Sequence, residues 1–276
     1  MITKYPDNTS YAIIDPVITE FTFKINSYED LWHLNQITDA YKHNNIKPII
    51  IIPNLIDAQA DDRFDDSQSF GLKLVCDFLN KMHATFKIFH PHNPQIVKSL
   101  VDNVEIIDNY RFISLVLHQL GYGDELGKDE NLILMSLDAG GYKPLMKLAD
   151  KIEWKGETYS ASKARKWLNG KSTLNQTLDK QDFGGKDILI IDDLLIGGGS
   201  MKGLSKMLKE RNCGKLYCAV SHITVQNLGE DPVTNYFDTV FTTNSKYEKY
   251  YDGRIFGDDQ IEVKGEPQNL QIIKLF

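Results

Sequence analysis

Cysteine is scarce in this chain: Cys76, Cys213 and Cys218 form an odd, scattered set with no metal-ligand spacing, and they read as thiols in a reducing cytoplasm. Long apolar runs are missing too. A stretch such as Ile49–Ile52 is far too short to span a bilayer, and the first residues lack the charged start and apolar h-region of a secretory signal. A cytoplasmic protein without a membrane partner is therefore expected. No long basic run occurs, and the formal net charge is −7, which excludes a surface built to grip nucleic acid while leaving nucleotides as ligands. Short-period repeats and low-complexity segments are also absent. What is present is an ordinary apolar share, 42%, in 276 residues, enough for one large domain or two compact ones.

Strand-like and helix-like runs alternate along the chain. Leu31, Leu34 and Ile37 recur at helical spacing in 28–44, ahead of the strand Ile49–Ile52, which Pro53 stops. After an acidic connection the pattern predicts a helix over 69–81, a strand over 85–89, a helix over 94–101, a strand over 104–107 and a helix over 110–120. The same grammar restarts with strands over 131–136, 188–191, 216–222 and 239–242 and helices over 143–149 and 201–211, interrupted by a polar insert at 160–182. This order implies an α/β protein with two tandem, mostly parallel sheets flanked by helices. We place the boundary near Gly121-Tyr-Gly123, giving domains 1–121 and 122–276, and the strand-like 270–276 is expected to return to the first domain.

The most informative segment is 188–200, Ile-Leu-Ile-Ile-Asp-Asp-Leu-Leu-Ile-Gly-Gly-Gly-Ser. Its apolar start reads as a buried parallel strand. Gly197, Gly198 and Gly199 let backbone N–H groups approach an anion at the start of the next helix. Asp192 and Asp193 then stand past the strand's carboxyl end, where ligands collect in open α/β sheets. The order describes a ribose-phosphate site; the plainer alternative is an acidic turn followed by a glycine helix cap.

Several further stretches, in order, give the chain a resemblance to a known family. Ile52-Pro53 and the residues through Lys73-Leu74-Val75, His92 with Gln95-Ile96, Asp108-Asn109, Ser136-Leu-Asp138-Ala-Gly-Gly141, Lys163-Ala-Arg165 and Asp192-Asp193 follow one another as they do in the phosphoribosyl-pyrophosphate synthetases. Tyr5-Pro-Asp7-Asn-Thr9 faintly echoes that family's adenine-recognising segment. The resemblance implies two tandem phosphoribosyltransferase-like domains and a ribose-phosphate diphosphokinase-type transferase. Such an enzyme moves the β,γ-diphosphoryl group of ATP onto the anomeric hydroxyl of a ribose 5-phosphate-type acceptor and releases AMP. ATP is then a substrate and Mg2+ the cofactor, and a homo-oligomer, dimer or higher, is expected.

Carried over residue by residue, the resemblance makes Lys163, Arg165, His92 and Asp138 the catalytic set, with His92 and Asp138 also on the metal. Asp192, Asp193, Gly197, Gly198, Gly199 and Ser200 hold ribose and its phosphate, and Tyr5, Asp7, Gln59, Asp61, Arg63 and His92 hold ATP. Diphosphoryl transfer asks for such residues, because positioning and charge neutralisation do most of its catalysis. Lys163 and Arg165 would act from a mobile loop closing over the triphosphate; the alternative for 162–169 is a solvated amphipathic helix.

The departures matter as much. Where the family loop continues with a third acid and a threonine, this chain has Ile196 and Gly197; His90 replaces an aspartate, and Gln59-Ala60-Asp61 with Arg63 replaces an Arg-Gln-Asp grip. Side chains lost at Gly197 and Gly198 make room for an acceptor whose 5-phosphate is esterified, as in ADP-ribose. That acceptor points to nicotinamide nucleotide (NAD) salvage, and ribose 5-phosphate to general nucleotide biosynthesis. Two other readings stand beside this one: a non-catalytic synthetase-like binding or regulatory protein, and a phosphoribosyltransferase.

Overall fold

The structure, a computed structural model, describes the backbone of residues 2–63, 65–123, 129–168, 171–223, 231–246 and 269–276, and their side chains except at 163–168 and 171–176. The chain divides into two units, Met1–Asn109 with Phe276, and Tyr110–Leu275. Among the described residues no helix is long and apolar enough to cross a membrane.

The first unit opens with a small antiparallel hairpin, β1 (Ile2–Lys4) and β2 (Ser10–Ala12). A four-stranded parallel sheet follows, made of β3 (Glu20–Thr22), β4 (Ile49–Ile52), β5 (Thr85–Phe89) and β6 (Val104–Ile107) in that spatial order. Its crossovers are α1 (Tyr28–His43), α2 (Gly71–Leu79) and α3 (Pro94–Leu100). Helix α1 begins where Ser27 and Asp30 form a reciprocal capping box, and it buries the predicted Leu31, Leu34 and Ile37. Ile50, Ile52, Phe86 and Ile88 meet Leu31, Leu34 and the buried face of α2 in one core. The short strands β1–β3 escape the sequence pattern because three residues carry too little periodicity.

The second unit begins with α4 (Tyr110–Leu120), earlier than the expected boundary at residue 121. The reason is its apolar face: Phe112, Ile113, Val116 and Leu117 pack on Leu132, Leu134, Leu189 and Ile191 of the second sheet. That sheet holds β7 (Leu132–Ser136), β8 (Glu157–Ser160), β11 (Asp187–Leu195), β12 (Leu216–Ile223), β13 (Thr239–Thr243) and β14 (Leu270–Ile273). Their spatial order is β14-β13-β12-β11-β7-β8, and every pairing is parallel. Between β8 and β11 lie β9 (Ser162–Leu168) and β10 (Lys171–Thr177), and around the sheet lie α5 (Ala139–Lys151) and α6 (Gly199–Lys209).

Alternation places the core on both faces of this sheet. Ile188, Ile190, Cys218 and Val220 pack with Met201, Leu204 and Leu208 of α6, while Leu189, Ile191, Tyr217 and Ala219 pack with α4 and α5. The last strand corrects an expectation: β14 pairs with β13 in the second sheet, and Phe276 alone belongs to the first unit, its ring 5.0 Å from that of Phe89. Cys76, Cys213 and Cys218 are all free thiols, and burial pushes Cys76 up to about 11.

Candidate active site

Two adjacent parallel strands build the centre of the site. Ser136 of β7 faces Ile191 of β11 at the end of their pairing, so Asp138 on one side and Asp192-Asp193 on the other leave at the same edge of the sheet. Strand β11 nevertheless continues beyond the two aspartates, because β12 keeps pairing with it: Asp192 faces Val220 and Leu194 faces His222. The expectation that the acids stand past the strand end is thus corrected: they lie inside β11, beyond the end of β7.

Asp138 caps α5, its Oδ1 accepting the Gly141 N–H at 3.2 Å, which is why the helix starts at Ala139 and not at the predicted residue 143. Ser136 Oγ lies 2.9 Å from the Asp138 carbonyl oxygen and 3.0 Å from Ser160 Oγ, tying the ends of β7 and β8 together. The Asp193 N–H donates to Asp192 Oδ1 at 3.0 Å. Burial, then the Asp193 carboxylate beside it, then Asp138, push Asp192 up to about 8. Three carboxyl groups therefore crowd one strand edge, and a cation or a hydroxyl donor arriving there relieves their repulsion.

The glycine turn is placed beside them. Gly198 sits in the left-handed region at φ 69 and caps α6 with no side-chain hydrogen bond, so no cap side chain covers the first-turn N–H groups. A Cβ at Gly198 would meet Val233 at 3.2 Å, so the room expected there is corrected: Val233 fills it, whereas Gly197 and Gly199 open onto empty space. Gly198→Ala is expected to cost about 1–2 kcal/mol in urea unfolding because of the left-handed backbone, while Gly197→Ala stays within about 0.5 kcal/mol of the parent. Equal losses at both positions would remove this reading of the turn.

Lys163 and Arg165 lie on β9, whose residues pair with β10 as a separate two-stranded antiparallel sheet, Lys163 opposite Gln176 and Arg165 opposite Leu174. A ribbon thus replaces both the expected loop and its helical alternative; the two side chains lie outside the described ones.

The remaining expected residues belong to the first unit. Tyr5–Thr9 is the turn of the β1–β2 hairpin, closed by the Tyr5 N–H donating to the Thr9 carbonyl at 2.8 Å. The side-chain hydroxyl and the N–H of Thr9 donate to Asp7 Oδ1 at 2.7 and 3.1 Å and hold its carboxyl below the usual range. Tyr5 is half-exposed against Tyr11, ring centroids 4.6 Å apart. Past β4, Asp61 Oδ2 accepts from Asn93 Nδ2 at 3.0 Å, while Asn93 Oδ1 caps α3. This bond brings Asp61 to the segment of His92, which is exposed after β5. Gln59 and Arg63 are exposed on the same loop. His90 turns the chain after β5 at φ 36. His92 and Asp138, expected on one metal, belong to different units, and among the described residues no group of three or more His, Cys, Asp or Glu is poised to hold an ion.

One feature at this edge of the second unit was not foreseen. His222 is buried, its Nδ1 2.8 Å from Ser245 Oγ, and the Thr243 hydroxyl donates to the Ser221 carbonyl at 2.7 Å. The polar residues 221–222 and 242–245 interrupting two apolar strands were the available signal. Lys246 follows, half-buried, and burial lowers its ammonium pKa.

A parallel sheet covered on both faces, with acids on adjacent strands at one edge and a glycine turn opening the next helix, defines a phosphoribosyltransferase-like domain. The model of the phosphoribosyl transferase domain matches residues 97–251. The chain belongs to that family. It is 21% identical over 250 residues to a ribose-phosphate pyrophosphokinase of Pyrococcus furiosus, covering 88% of this chain and 85% of the relative. Another, of Sulfolobus acidocaldarius, is 22% identical over 218 residues, with 78% and 70% covered. A crystal structure of the phosphoribosylpyrophosphate synthetase from Mycobacterium smegmatis shares the fold, with a TM-score of 0.70 at 18% identity, over 100% of this chain and 85% of that one.

Proposed function

We propose that the chain is a ribose-phosphate diphosphokinase: the anomeric oxygen of a ribosyl acceptor attacks the β-phosphorus of ATP, the bond from that phosphorus to the α,β-bridging oxygen breaks, and AMP leaves with the oxygen. The observation that carries this reading is the convergence of Asp138, Asp192 and Asp193 on one sheet edge beside the open start of α6. The two β11 carboxyls accept hydrogen bonds from the ribose 2- and 3-hydroxyls, and the α6 N–H groups with the Ser200 hydroxyl hold the 5-phosphate. Lys163 and Arg165 offset charge on the transferred group. Carboxylate oxygens suit Mg2+, which keeps one or two protein ligands and takes the rest from phosphates and water; when bound it neutralises the triphosphate. Crowded Asp138 and Asp192 are the oxygens on offer.

The acceptor is read from the turn. Open space at Gly197 and Gly199 favours a 5-phosphate carrying a further group, and ADP-ribose is the acceptor we propose over free ribose 5-phosphate. The test is AMP release from ATP and Mg2+ with each acceptor. We expect kcat/KM for ADP-ribose to exceed that for ribose 5-phosphate at least tenfold, and the opposite preference would remove the ADP-ribose assignment. No AMP with either acceptor would leave a binding protein, and a ribosylated base would mean a transferase.

A further inference from the structure

Far along the first unit from the loops after β4 and β5, a cavity of about 450 Å³ opens between the N-terminal hairpin, one face of α1 and the turn ahead of β5. Tyr11, Trp32, Asn35, Asp39, Lys42 and Lys81 line it, with His83 beside them. The volume is in the range of small-molecule sites. Its walls are fixed: Gln36 Nε2 donates to the Ser10 carbonyl at 2.7 Å and Ser10 Oγ to Gln36 Oε1 at 3.0 Å, pinning β2 to α1. Thr38 at the floor is buried and spends its hydroxyl on the Asn35 carbonyl.

The lining chemistry is divided along the helix. Trp32 stands in the second turn of α1 and is 52% exposed, more than a tryptophan held in a core would be. Lys42 stands in the last turn, and the helix rises about 15 Å between the two. Lys81 and His83 immediately precede β5, so they belong to the strand-start end of the unit with Lys42. Asp39, Lys42, Lys81 and His83 make no ion pair among the described residues, although the chain as a whole is acidic. An aromatic face at one end, cations at the other and an amide and a carboxylate between them match three parts of one molecule. A flat ring covers Trp32 and Tyr11, a phosphate meets the cations, and sugar hydroxyls or ring N–H groups meet Asp39 and Asn35.

We propose that this cavity binds a nucleoside monophosphate, at a site separate from the carboxylate edge of the second unit and independent of the diphosphokinase reading. A simple anion would leave Trp32, Asn35 and Asp39 unused, and a simple aromatic would leave the lysines unused. The test uses the full chain with AMP as probe. Photolabelling with 8-azido-AMP followed by peptide mapping is expected to mark the peptide holding Trp32, which carries none of the residues expected to hold ATP, and excess AMP is expected to suppress the label. Calorimetric AMP affinity should fall at least tenfold in the K42E/K81E variant, whose thermal midpoint and circular dichroism report that the exposed changes leave the fold intact. W32A should weaken AMP while leaving inorganic phosphate unaffected. Label confined to other peptides overturns the proposal, as does an unchanged isotherm in K42E/K81E, or inorganic phosphate competing as well as AMP. AMP-forming activity in K42E/K81E, assayed separately, should match the parent, so a failure of the enzymatic reading is told apart from a failure of this one.

Discussion

Asp192→Asn is expected to flatten the pH dependence of stability and to cut AMP formation by roughly 10²-fold, the worth of a hydrogen bond to a charged group. Asp192 is raised to about 8 by burial, then by Asp193 and Asp138, against about 3.9 for an unfolded aspartate. Below about pH 4 both states hold the proton. Between 4 and 8 the folded state keeps a proton that the unfolded state has released, so stability falls as pH rises, by at most about 1.4 kcal/mol per pH unit. Above 8 both states are ionised and the fall stops.

The asparagine variant lacks this titration. Its thermal midpoint should therefore gain on the parent as pH rises from 5 to 8, by about 2–4 °C for each kcal/mol recovered. Parallel midpoint curves would remove Asp192 as the proton holder. The same proton has a consequence for binding: a ribose diol wants a carboxylate, so acceptor binding at pH 7 should release a proton. Calorimetry in two buffers of different ionisation heat measures it, and the acceptor KM should fall as pH approaches 8.

Lys163→Ala is expected to lower AMP formation by about 10²–10³-fold with little change in stability. The first part follows from the loss of one charge-stabilising donor in the transition state, worth about 2.7–4 kcal/mol in other enzymes. The second follows from topology. Among the described residues, strands β9 and β10 pair with each other and with no strand of the six-stranded sheet, so the ribbon contributes little to the doubly covered core. The measurement is single-turnover AMP formation beside urea unfolding. Full activity would remove Lys163 from the catalytic set, and a large stability loss would give it a structural role instead.

The legible parts of this chain were those with long apolar periodicity. The runs Ile49–Ile52, Thr85–Phe89 and Val104–Ile107 are strands at the predicted bounds, and the 28–44 stripe is α1, because burial of a strand or a helix face leaves a pattern in adjacent residues. Strands β1–β3 and β8 were not legible, because each mixes polar or charged residues through its three or four positions and none carries an apolar run. The polar insert misled for a related reason: β9 and β10 are stabilised by pairing with each other, which polar residues allow, so no apolar period announces them. At the site, Asp138, Asp192 and Asp193 could be named from spacing, but their mutual repulsion could not, since it depends on which strands are neighbours.

By itself the sequence determined the alternation of strands and helices, Asp138 as the cap between β7 and α5 and the glycines before α6, because each is a local matter of burial period, capping and backbone freedom. Tertiary structure alone decided that α4 joins the second unit, that β14 stays with β13, and that β7 ends beside a β11 that continues. Those outcomes turn on which apolar faces meet and which edges pair across long stretches of chain. The charge state of Asp192 belongs with them, for it is set by burial and by two carboxyls brought near it in space.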